Sequence, residues 1–368
     1  MRKLTYWVLP LVLLALTGCD DGTTDSPSTT EDAASSPEGE ESMGSGPDLE
    51  AGAADYAQYC SLCHGDEGQG YKADQANALN HPEFLATATD DFIRHAIVRG
   101  RPGTTMSAWH LDAGGPMDDA GVENLVAYIR SWEQLEPLDV HDYVPEGEAE
   151  RGETIYEIRC FSCHGEQGKE GLFMTISNPE FLATASDGYL HHALNVGRES
   201  AGMPAFGPLL TPQQIDDLIV LIRSWQVDPE TGPVELPVFN PDTLTLNPDG
   251  GEPEFTLDDE GRVSVEQVEA AYDAKAKMVL LDARLPSEYL HGHITGAVSM
   301  PFYSVGDYLE FFSKDVWVVA YCACPHAESG VAADTLKEAG FTKVTVINEG
   351  YDAWVDDGYP TTEGPNTQ

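Results

Sequence analysis

The chain has 368 residues, enough for two or three domains with hydrophobic cores of their own. It carries 63 Asp and Glu residues against 19 Lys and Arg residues, which gives a formal net charge of −44. This charge argues against nucleic acid as a partner, because phosphates require a basic surface. It indicates either a highly soluble surface or electrostatic attraction of a basic protein partner.

The first 19 residues have the composition of a bacterial export signal. Two basic residues precede an apolar run, Leu4–Leu16, which is too short for a typical membrane span. The run ends in Leu-Thr-Gly-Cys, which resembles a lipobox and implies that Cys19 is lipidated. The resemblance implies a lipid-anchored, periplasm-facing protein, and Asp20 favours the inner membrane. Residues 20–49 are acidic and small, so we expect a disordered tether.

Two segments share the pattern Cys-X-X-Cys-His-Gly. The residues concerned are Cys60, Cys63 and His64 in the first segment, and Cys160, Cys163 and His164 in the second. Two cysteines at this spacing can each add to a haem vinyl group, and the following histidine becomes the proximal iron ligand. One motif alone could be chance or a redox dithiol. Two motifs in matching sequence predict two covalently bound haem c groups.

The match between the two segments extends well beyond these motifs. Three stretches recur in the same order: Phe-Leu-Ala-Thr-Ala at 84–88 and 181–185, Gly-Arg at 100–101 and 197–198, and Ile-Arg-Ser-Trp at 129–132 and 222–225. Such recurrence indicates one duplicated domain, with copies at 50–136 and 147–228. In the first copy, one predicted helix delivers the motif and an apolar-periodic helix ends the domain. This arrangement resembles class I cytochrome c.

That resemblance implies a methionine as the second axial iron ligand. Met106 and Met203 each lie six residues after the glycine of a Gly-Arg pair, whereas Met117 and Met174 have no counterpart in the repeat. We therefore predict Met106 and Met203 as ligands and interpret the other two as core residues. The rival ligands are histidines: His95, His110, His191 and His192. Met/His ligation leaves no open position for a substrate, so both haems are expected to transfer electrons.

The sequence changes character after the second repeat. Residues 229–262 are rich in proline and acidic residues and are predicted to form a linker. Beyond it, apolar stretches at 278–281, 316–321 and 344–347 alternate with predicted helices. One of these helices starts at Ser264, where a capping box with Gln267 is expected. Apolar strands alternating with helices predict a small parallel α/β sheet.

Residues 263–360 resemble a rhodanese domain. The resemblance rests on four stretches: Leu281–Arg284, Gly292–Ala297, Val319–Cys322 and Glu349–Trp354. It implies that Cys322 ends a strand within a loop of inward-pointing N–H groups, where the thiolate can carry sulfur as a persulfide. The loop lacks the arginine of that family and contains Glu328 instead, which is expected to disfavour the thiolate and repel thiosulfate. Cys322 and Cys324 could form a disulfide, or they could act as nucleophile and resolving thiol. Alternatively, the two could remain reduced as an inert pair.

The predicted protein therefore has several domains, two all-α cytochrome c domains followed by an α/β rhodanese-like domain. Three functions remain open at this point. The favoured one is membrane-tethered electron transfer to redox protein partners, with the third domain as an accessory. The second is oxidation or transfer of a small sulfur anion at Cys322, with electrons passed to the haems. In the third, the rhodanese-like domain is a non-catalytic binding or docking module.

Overall fold

Helices form two copies of one arrangement in the first two thirds of the protein. The computed structural model describes residues 46–71, 76–140, 142–230, 232, 234–323 and 326–365. The predicted lipidation site Cys19, most of the predicted tether, and Cys324 lie outside the described residues. Among the helices in these ranges, none is both long enough and apolar enough to cross a membrane.

The first copy is called repeat 1 and the second repeat 2. Repeat 1 contains α1 (Leu49–Asp55), α2 (Ser61–His64), α3 (Pro82–Thr87), α4 (Asp90–Arg99) and α5 (Asp119–Arg130), with a π-helical turn, Tyr56–Cys60, between α1 and α2. Repeat 2 contains α6 (Ala149–Arg159), α7 (Phe161–His164), α8 (Pro179–Thr184), α9 (Asp187–Val196) and α10 (Pro212–Ser224). Thr211 caps the N-terminus of α10, because its side chain and that of Gln214 form a capping box.

In each repeat the first long helix crosses the last one. Helix α1 packs on α5, and α6 packs on α10. The crossings are close because a glycine lies at each: a Cβ atom added to Gly52 would lie 2.2 Å from the Asn124 carbonyl oxygen, and one added to Gly152 would lie 2.3 Å from that of Asp217. Any larger residue would separate the two helices. The glycines thus fix the frame from which the Cys-X-X-Cys-His motifs project.

The two repeats pack against each other through reciprocal contacts. The His95 Nε2 atom lies 2.6 Å from a Glu180 carboxylate oxygen, and the His192 Nε2 atom lies 2.7 Å from one of Glu83. Each pair joins the same positions of the repeat with the roles of the two copies exchanged. The apolar part of the interface consists of aromatic rings: Phe84, Phe92, Phe181 and Tyr189. This is the geometry of an isologous dimer interface within one chain.

The C-terminal domain is built on a parallel sheet. Its helices are α11 (Val265–Asp273), α12 (Pro286–His291), α13 (Ala327–Glu338) and α14 (Gly350–Asp356). Its strands are β1 (Met278–Asp282), β2 (His293–Ile294), β3 (Val298–Ser299), β4 (Trp317–Tyr321), β5 (Val344–Val346) and β6 (Thr361–Thr362).

The main sheet has the order β3-β1-β4-β5, and all its pairings are parallel. Strand β1 is buried along its whole length, as expected for a strand covered on both faces. Strands β2 and β6 form a separate antiparallel pair. The fold class predicted from the sequence, two all-α domains followed by a parallel α/β domain, is confirmed.

The predicted linker packs along the C-terminal domain. The Phe239 ring lies 4.6 Å from that of Tyr308, and Leu244 is buried. Leu246 exchanges backbone hydrogen bonds with Met278 at the start of β1. The linker therefore contributes to the core of the domain that follows it.

Candidate functional site

The two Cys-X-X-Cys-His motifs adopt the same local structure. Each lies on one helical turn, α2 or α7, directly after the helix that delivers it. The Tyr56 hydroxyl donates a hydrogen bond to the Gly65 carbonyl oxygen at 2.7 Å, and the Tyr156 hydroxyl donates to that of Gly165 at 2.8 Å. These bonds tie the delivering helix to the loop after each histidine. The motif cysteines and histidine are therefore held in one orientation.

Both motif histidines are arranged as metal ligands require. The Nδ1 atom of His64 lies 2.8 Å from the Asn77 carbonyl oxygen, and that of His164 lies 3.1 Å from the Met174 carbonyl oxygen. A carbonyl only accepts, so Nδ1 carries the proton and the Nε2 lone pair faces away from this bond. Burial lowers the pKa of both imidazoles, which favours the neutral form that binds metals.

The first cysteine of each motif is poorly suited to redox chemistry. Burial raises the pKa of the Cys60 thiol and of the Cys160 thiol to about 12. At neutral pH both are therefore thiols, whereas dithiol exchange requires a thiolate. This argues against the alternative reading of the motifs as redox dithiols.

Met106 and Met203 occupy equivalent positions in the two repeats. The Arg101 backbone N–H donates to the Met106 carbonyl oxygen at 2.7 Å, and Arg198 makes the same bond to Met203, also at 2.7 Å. Both methionines are partly buried and pack against the core. Met117, by contrast, is buried in the core of repeat 1. Their role as axial ligands remains a prediction that this equivalence supports.

The rival histidines have other partners. His95 and His192 form the reciprocal pairs with glutamates across the repeat interface. His110 lies beside two aspartates, and the His191 ring stacks on Tyr143 with a centroid distance of 4.1 Å. The contacts of all four histidines are therefore accounted for without an iron.

Two arginines at the repeat interface provide a test of whether the site fits a haem. The Arg101 guanidinium lies 5.9 Å from the Phe181 ring centroid, and that of Arg198 lies 5.4 Å from the Phe84 ring. Burial lowers the pKa of Arg101 to about 10, so it stays charged at neutral pH. The buried Nε atom of Arg198 has no hydrogen-bond partner among the described residues.

Within the described ranges, neither of these arginines forms a salt bridge, although the chain contains 63 acidic residues. Arg101 Nη1 donates a hydrogen bond to the Gly100 carbonyl oxygen at 3.1 Å, and Glu180 attracts the Arg101 charge without pairing with it. A cation–π contact contributes only about 0.5–2 kcal/mol, less than the several kcal/mol needed to desolvate a cation. Both positions therefore favour an anion from outside the polypeptide. Haem carries two propionate carboxylates, so the residues of both repeats fit this group.

Cys322 lies at the carboxyl end of β4, where the rhodanese resemblance implies a sulfur-carrying residue. It is 1% exposed, and its Sγ atom lies 3.2 Å from the Ser329 hydroxyl on α13. Its carbonyl oxygen accepts a hydrogen bond from the Tyr351 backbone N–H at 2.9 Å. The proposed resolving thiol, Cys324, lies outside the described residues.

The ionisation of Glu328 bears on the charge that the sequence predicts beside Cys322. Burial raises its pKa well above the ordinary value, and the neighbouring Glu288 and Cys322 add to this effect. The Arg284 guanidinium opposes the shift, but it is paired with Asp282 at 2.6 Å. The carboxyl group is therefore held towards its neutral form. This direction of the pKa disfavours the negative charge predicted beside Cys322, and the predicted effect of Glu328 on the thiolate stays a prediction.

Comparison with known families agrees with this geometry. The family described as "Cytochrome C oxidase, cbb3-type, subunit III" matches residues 47–129 and 147–222, and the "Rhodanese-like domain" family matches residues 264–357. The chain joins two cytochrome c domains to a rhodanese-like domain. Repeats 1 and 2 are accordingly called cytochrome domains 1 and 2 from here on.

Individual relatives match one part of the chain or the other. FixP of Azorhizobium caulinodans, a cbb3-type cytochrome c oxidase subunit, is 28% identical over 175 residues, which cover 46% of this chain and 57% of FixP. Thiosulfate sulfurtransferase 16 of Arabidopsis thaliana is 36% identical over 95 residues, which cover 22% of this chain and 77% of that protein. The solved rhodanese-like domain of Alr3790 from Anabaena is 27% identical. The match covers 28% of this chain and 78% of that domain, with a TM-score of 0.27. The chain thus spans less than two thirds of the length of FixP.

The rhodanese-like domain packs on cytochrome domain 1 beside its Cys-X-X-Cys-His motif. Helix α13, which follows the Cys322 loop, contacts α2, which carries Cys63 and His64. The Tyr59 ring, next to Cys60, lies 5.7 Å from the Tyr303 ring. Burial raises the pKa of Tyr303, with smaller contributions from Tyr59 and Glu328. Tyr303 therefore lies between the motif and the surroundings of Cys322.

A cleft separates the two domains next to this contact. Its volume is about 250 Å³. Its lining includes Arg99 and Met106 from cytochrome domain 1, and Arg284, His291, Ala323 and Tyr351 from the rhodanese-like domain. The Ser107 hydroxyl donates a short hydrogen bond to the Glu288 carboxylate, and the Ser287 hydroxyl accepts one from the Ala108 backbone N–H at 3.1 Å. The cleft leads from solvent to the residue that follows Cys322.

Sequence reasoning missed the interface residues. Arg101 and Arg198 carried a signal, since the Gly-Arg pair recurs, but it served only to align the repeats. Tyr303 carried none, because its position beside Tyr59 depends on how two separate domains pack. Such contacts have no local pattern in the chain.

Proposed function

We propose that this protein transfers electrons at the periplasmic face of a bacterial membrane through two covalently bound haem c groups. The observation that carries the proposal is the duplicated motif geometry, in which two partly buried histidines each donate Nδ1–H to a backbone carbonyl. When bound, haem supplies one-electron exchange between ferrous and ferric iron.

The residues of each cytochrome domain have distinct roles in this proposal. The cysteines fix the haem covalently, and His64 and His164 supply the proximal ligands. Met106 and Met203 complete the axial pairs, and Arg101 and Arg198 bind propionates at the domain interface. These last two assignments rest on the equivalent positions in the repeats and on the absence of carboxylate partners in the described part of the chain. If His64, His164, Met106 and Met203 hold the irons in this way, no position would stay open for a substrate on either iron.

The membrane attachment and partners are part of the same proposal. A lipid on Cys19 holds the protein at the membrane, with the acidic tether providing reach, and the export signal places the domains in the periplasm. The resemblance of the cytochrome domains to subunits of cbb3-type oxidases supports redox proteins as partners. The strong negative charge favours basic ones.

A spectroelectrochemical titration of the full chain in detergent tests the electron-carrier proposal. We expect two reversible one-electron transitions of low-spin haem, together with haem that stays attached after denaturation. Haem that is extracted by acidic acetone would contradict covalent attachment. Binding of carbon monoxide to both ferrous haems without displacement of a ligand would contradict the closed axial positions.

Sulfur-compound oxidation at Cys322 is a second candidate function, favoured by the packing of α13 on α2. In this reaction the Cys322 thiolate and a hydrosulfide anion form a sulfur–sulfur bond. The products are the Cys322 persulfide anion, one proton and two electrons. The two haem groups that the Cys-X-X-Cys-His motifs would hold would supply two one-electron acceptors, which is the number that this oxidation requires. The Tyr303–Tyr59 contact links the two sites.

Stopped-flow absorbance distinguishes the second candidate from simple electron carriage. The oxidised protein is mixed with sulfide, polysulfide or thiosulfate, alongside the Cys322→Ser and Cys324→Ser variants. If the candidate is correct, sulfide or polysulfide reduces the haems, and the Cys322→Ser variant is at least tenfold slower. Equal rates in the parent and in Cys322→Ser would rule it out and leave the rhodanese-like domain as a docking or binding module.

A further inference from the structure

The two loops that carry the predicted methionine ligands are held differently. In cytochrome domain 2, the Arg198 N–H donates to the Met203 carbonyl oxygen at 2.7 Å, and the Met203 N–H donates back to the Arg198 carbonyl oxygen at 3.1 Å. In cytochrome domain 1, Arg101 makes the first of these bonds to Met106, but the Met106 N–H donates to the Thr104 hydroxyl at 3.2 Å. The domain 1 loop therefore has one backbone bond fewer between these two positions.

The residue after each methionine also differs. Pro204 follows Met203, is exposed, and has a φ angle fixed by its ring. Ser107 follows Met106 and is only 3% exposed. A polar side chain buried to this extent needs a hydrogen-bond partner. Domain 2 thus restrains its methionine loop by covalent geometry, whereas domain 1 presents a buried hydroxyl that must be paired.

Helix α12 of the rhodanese-like domain provides the partners. The Ser107 hydroxyl donates a short hydrogen bond to the Glu288 carboxylate, and the Ala108 N–H donates to the Ser287 hydroxyl oxygen at 3.1 Å. Two consecutive residues of the loop are therefore bonded to two consecutive residues of the helix. The loop is held at the position directly after the predicted ligand.

The contact with the rhodanese-like domain continues along the chain after the loop. The Tyr303 hydroxyl donates to the Gly114 carbonyl oxygen at 3.1 Å. Gly114 has a φ angle of +80° and lies against Pro286, the first residue of α12, where an added Cβ atom would be 2.8 Å from the proline Cγ atom. A larger residue would push α12 away. This close approach fixes the position of Glu288 relative to the loop.

We propose that Glu288 is a positioning residue for Met106, so that the rhodanese-like domain holds the axial methionine of domain 1 while domain 2 holds its own. The proposal rests on the electron-carrier function, in which both methionines bind iron. Met106 lines the cleft between the domains and is only partly buried, so packing alone does not fix its loop. Removing a group that orients a metal ligand typically weakens metal binding by roughly 10–100-fold.

Competition with an external ligand tests this role. Imidazole is titrated against the ferric full chain, and visible and near-infrared absorbance report the displacement of methionine. A Cys160→Ser, Cys163→Ser background shows the haem of domain 1 alone, and a Cys60→Ser, Cys63→Ser background shows that of domain 2. We expect Glu288→Ala to raise the apparent imidazole affinity of the domain 1 haem about tenfold and to change that of domain 2 by less than about twofold.

Glu288→Gln separates the hydrogen bond from the charge. Both substitutions remove the same negative charge, but the Gln carbonyl oxygen still accepts a bond from the Ser107 hydroxyl. Glu288→Gln should therefore keep the imidazole affinity of the parent. Ser107→Ala removes the donor of the same bond and should behave like Glu288→Ala. Glu310→Ala, which removes an exposed carboxylate of the same domain, should leave both haems unchanged.

Amide hydrogen exchange of the full chain gives a readout that does not involve ligand replacement. In Glu288→Ala the segment 103–109 should exchange about tenfold faster than in the parent, and the equivalent segment 200–206 should not change. A purely structural role would instead lower the thermal unfolding midpoint and speed exchange in both segments. That result would overturn the proposal.

The imidazole titration also has outcomes that contradict the proposal. Equal affinities of the domain 1 haem in the parent, Glu288→Ala and Ser107→Ala would overturn it, as would equal effects of Glu288→Ala and Glu288→Gln. If the parent shows the methionine band for both haems while the variants do not differ from it, the positioning role fails and electron carriage stands. A parent that holds no redox-active haem would contradict the electron-carrier function itself.

Discussion

Replacing both Cys160 and Cys163 by Ser is expected to lower the covalently bound haem from two groups per chain to one. Thioether bonds require the cysteine sulfurs, and the Ser hydroxyl does not add to a haem vinyl group under the same conditions. The motif of cytochrome domain 1 is built from its own helices, α1 and α2, and should remain loaded. The pyridine haemochrome absorbance of acetone-washed protein and the intact mass both report the stoichiometry.

Two variants serve as controls for this experiment. Cys60→Ser combined with Cys63→Ser should also leave one haem, whereas Ser162→Ala, which changes the exposed residue between the second pair of cysteines, should leave two. If the Cys160 and Cys163 replacements left both haems covalently attached, the assignment of these motifs would be wrong.

Met106→Ala and Met203→Ala are each expected to lower the potential of one haem by on the order of 100 mV or more, because the axial ligand sets much of the haem potential. Each variant should also lose the weak near-infrared band of methionine-to-iron charge transfer for one haem. Potentiometric titration followed by visible and near-infrared absorbance measures both effects. In the double variant the band should disappear.

The unmatched methionines provide the comparison. Met117→Leu and Met174→Leu keep an apolar side chain of similar volume, so they should leave the near-infrared band and both potentials unchanged. Loss of the band in either Leu variant, or its retention in both Ala variants, would contradict the choice of ligands. The Arg101→Gln and Arg198→Gln variants offer no such clean spectral signature, since propionates are not bonded to iron.

Local sequence patterns predicted the fold well. The buried strands β1, β4 and β5 follow from apolar runs bounded by polar residues, and their parallel pairing follows from alternation with helices. The duplicated helical domain follows from the recurring motifs. Both features depend on residues close together in the chain, so the sequence carries them directly.

Contacts between distant segments could not be predicted in the same way. The expected capping box at Ser264 does not form, because the Gln267 side chain instead exchanges hydrogen bonds with the backbone of Thr256. Likewise, the pairing of His95 with Glu180 depends on how the two repeats meet. In both cases tertiary packing brings in a hydrogen-bond partner that is distant in sequence, so local sequence patterns do not identify it.

The same reasoning limited the prediction for the Cys322 loop. Its lack of arginine was evident from the sequence, but the ionisation of Glu328 depends on burial and on the carboxylate of Glu288. Neither the packing of cytochrome domain 1 on α13 nor the cleft beside Ala323 can be recognised from local sequence. The chemistry of Cys322 is therefore a question about the assembled domains.

The reciprocal glutamate–histidine pairs have a consequence for assembly. Two separate molecules with a self-complementary surface of this kind would associate only at protein concentrations above the dissociation constant of the dimer. Here the segment 131–148, which joins α5 to α6, raises the effective concentration of one repeat near the other far above that of separate copies in dilute solution. The spacing between the two Cys-X-X-Cys-His motifs is therefore the same at one molecule per cell as at thousands, and the proposed electron exchange between their haems would not depend on expression level.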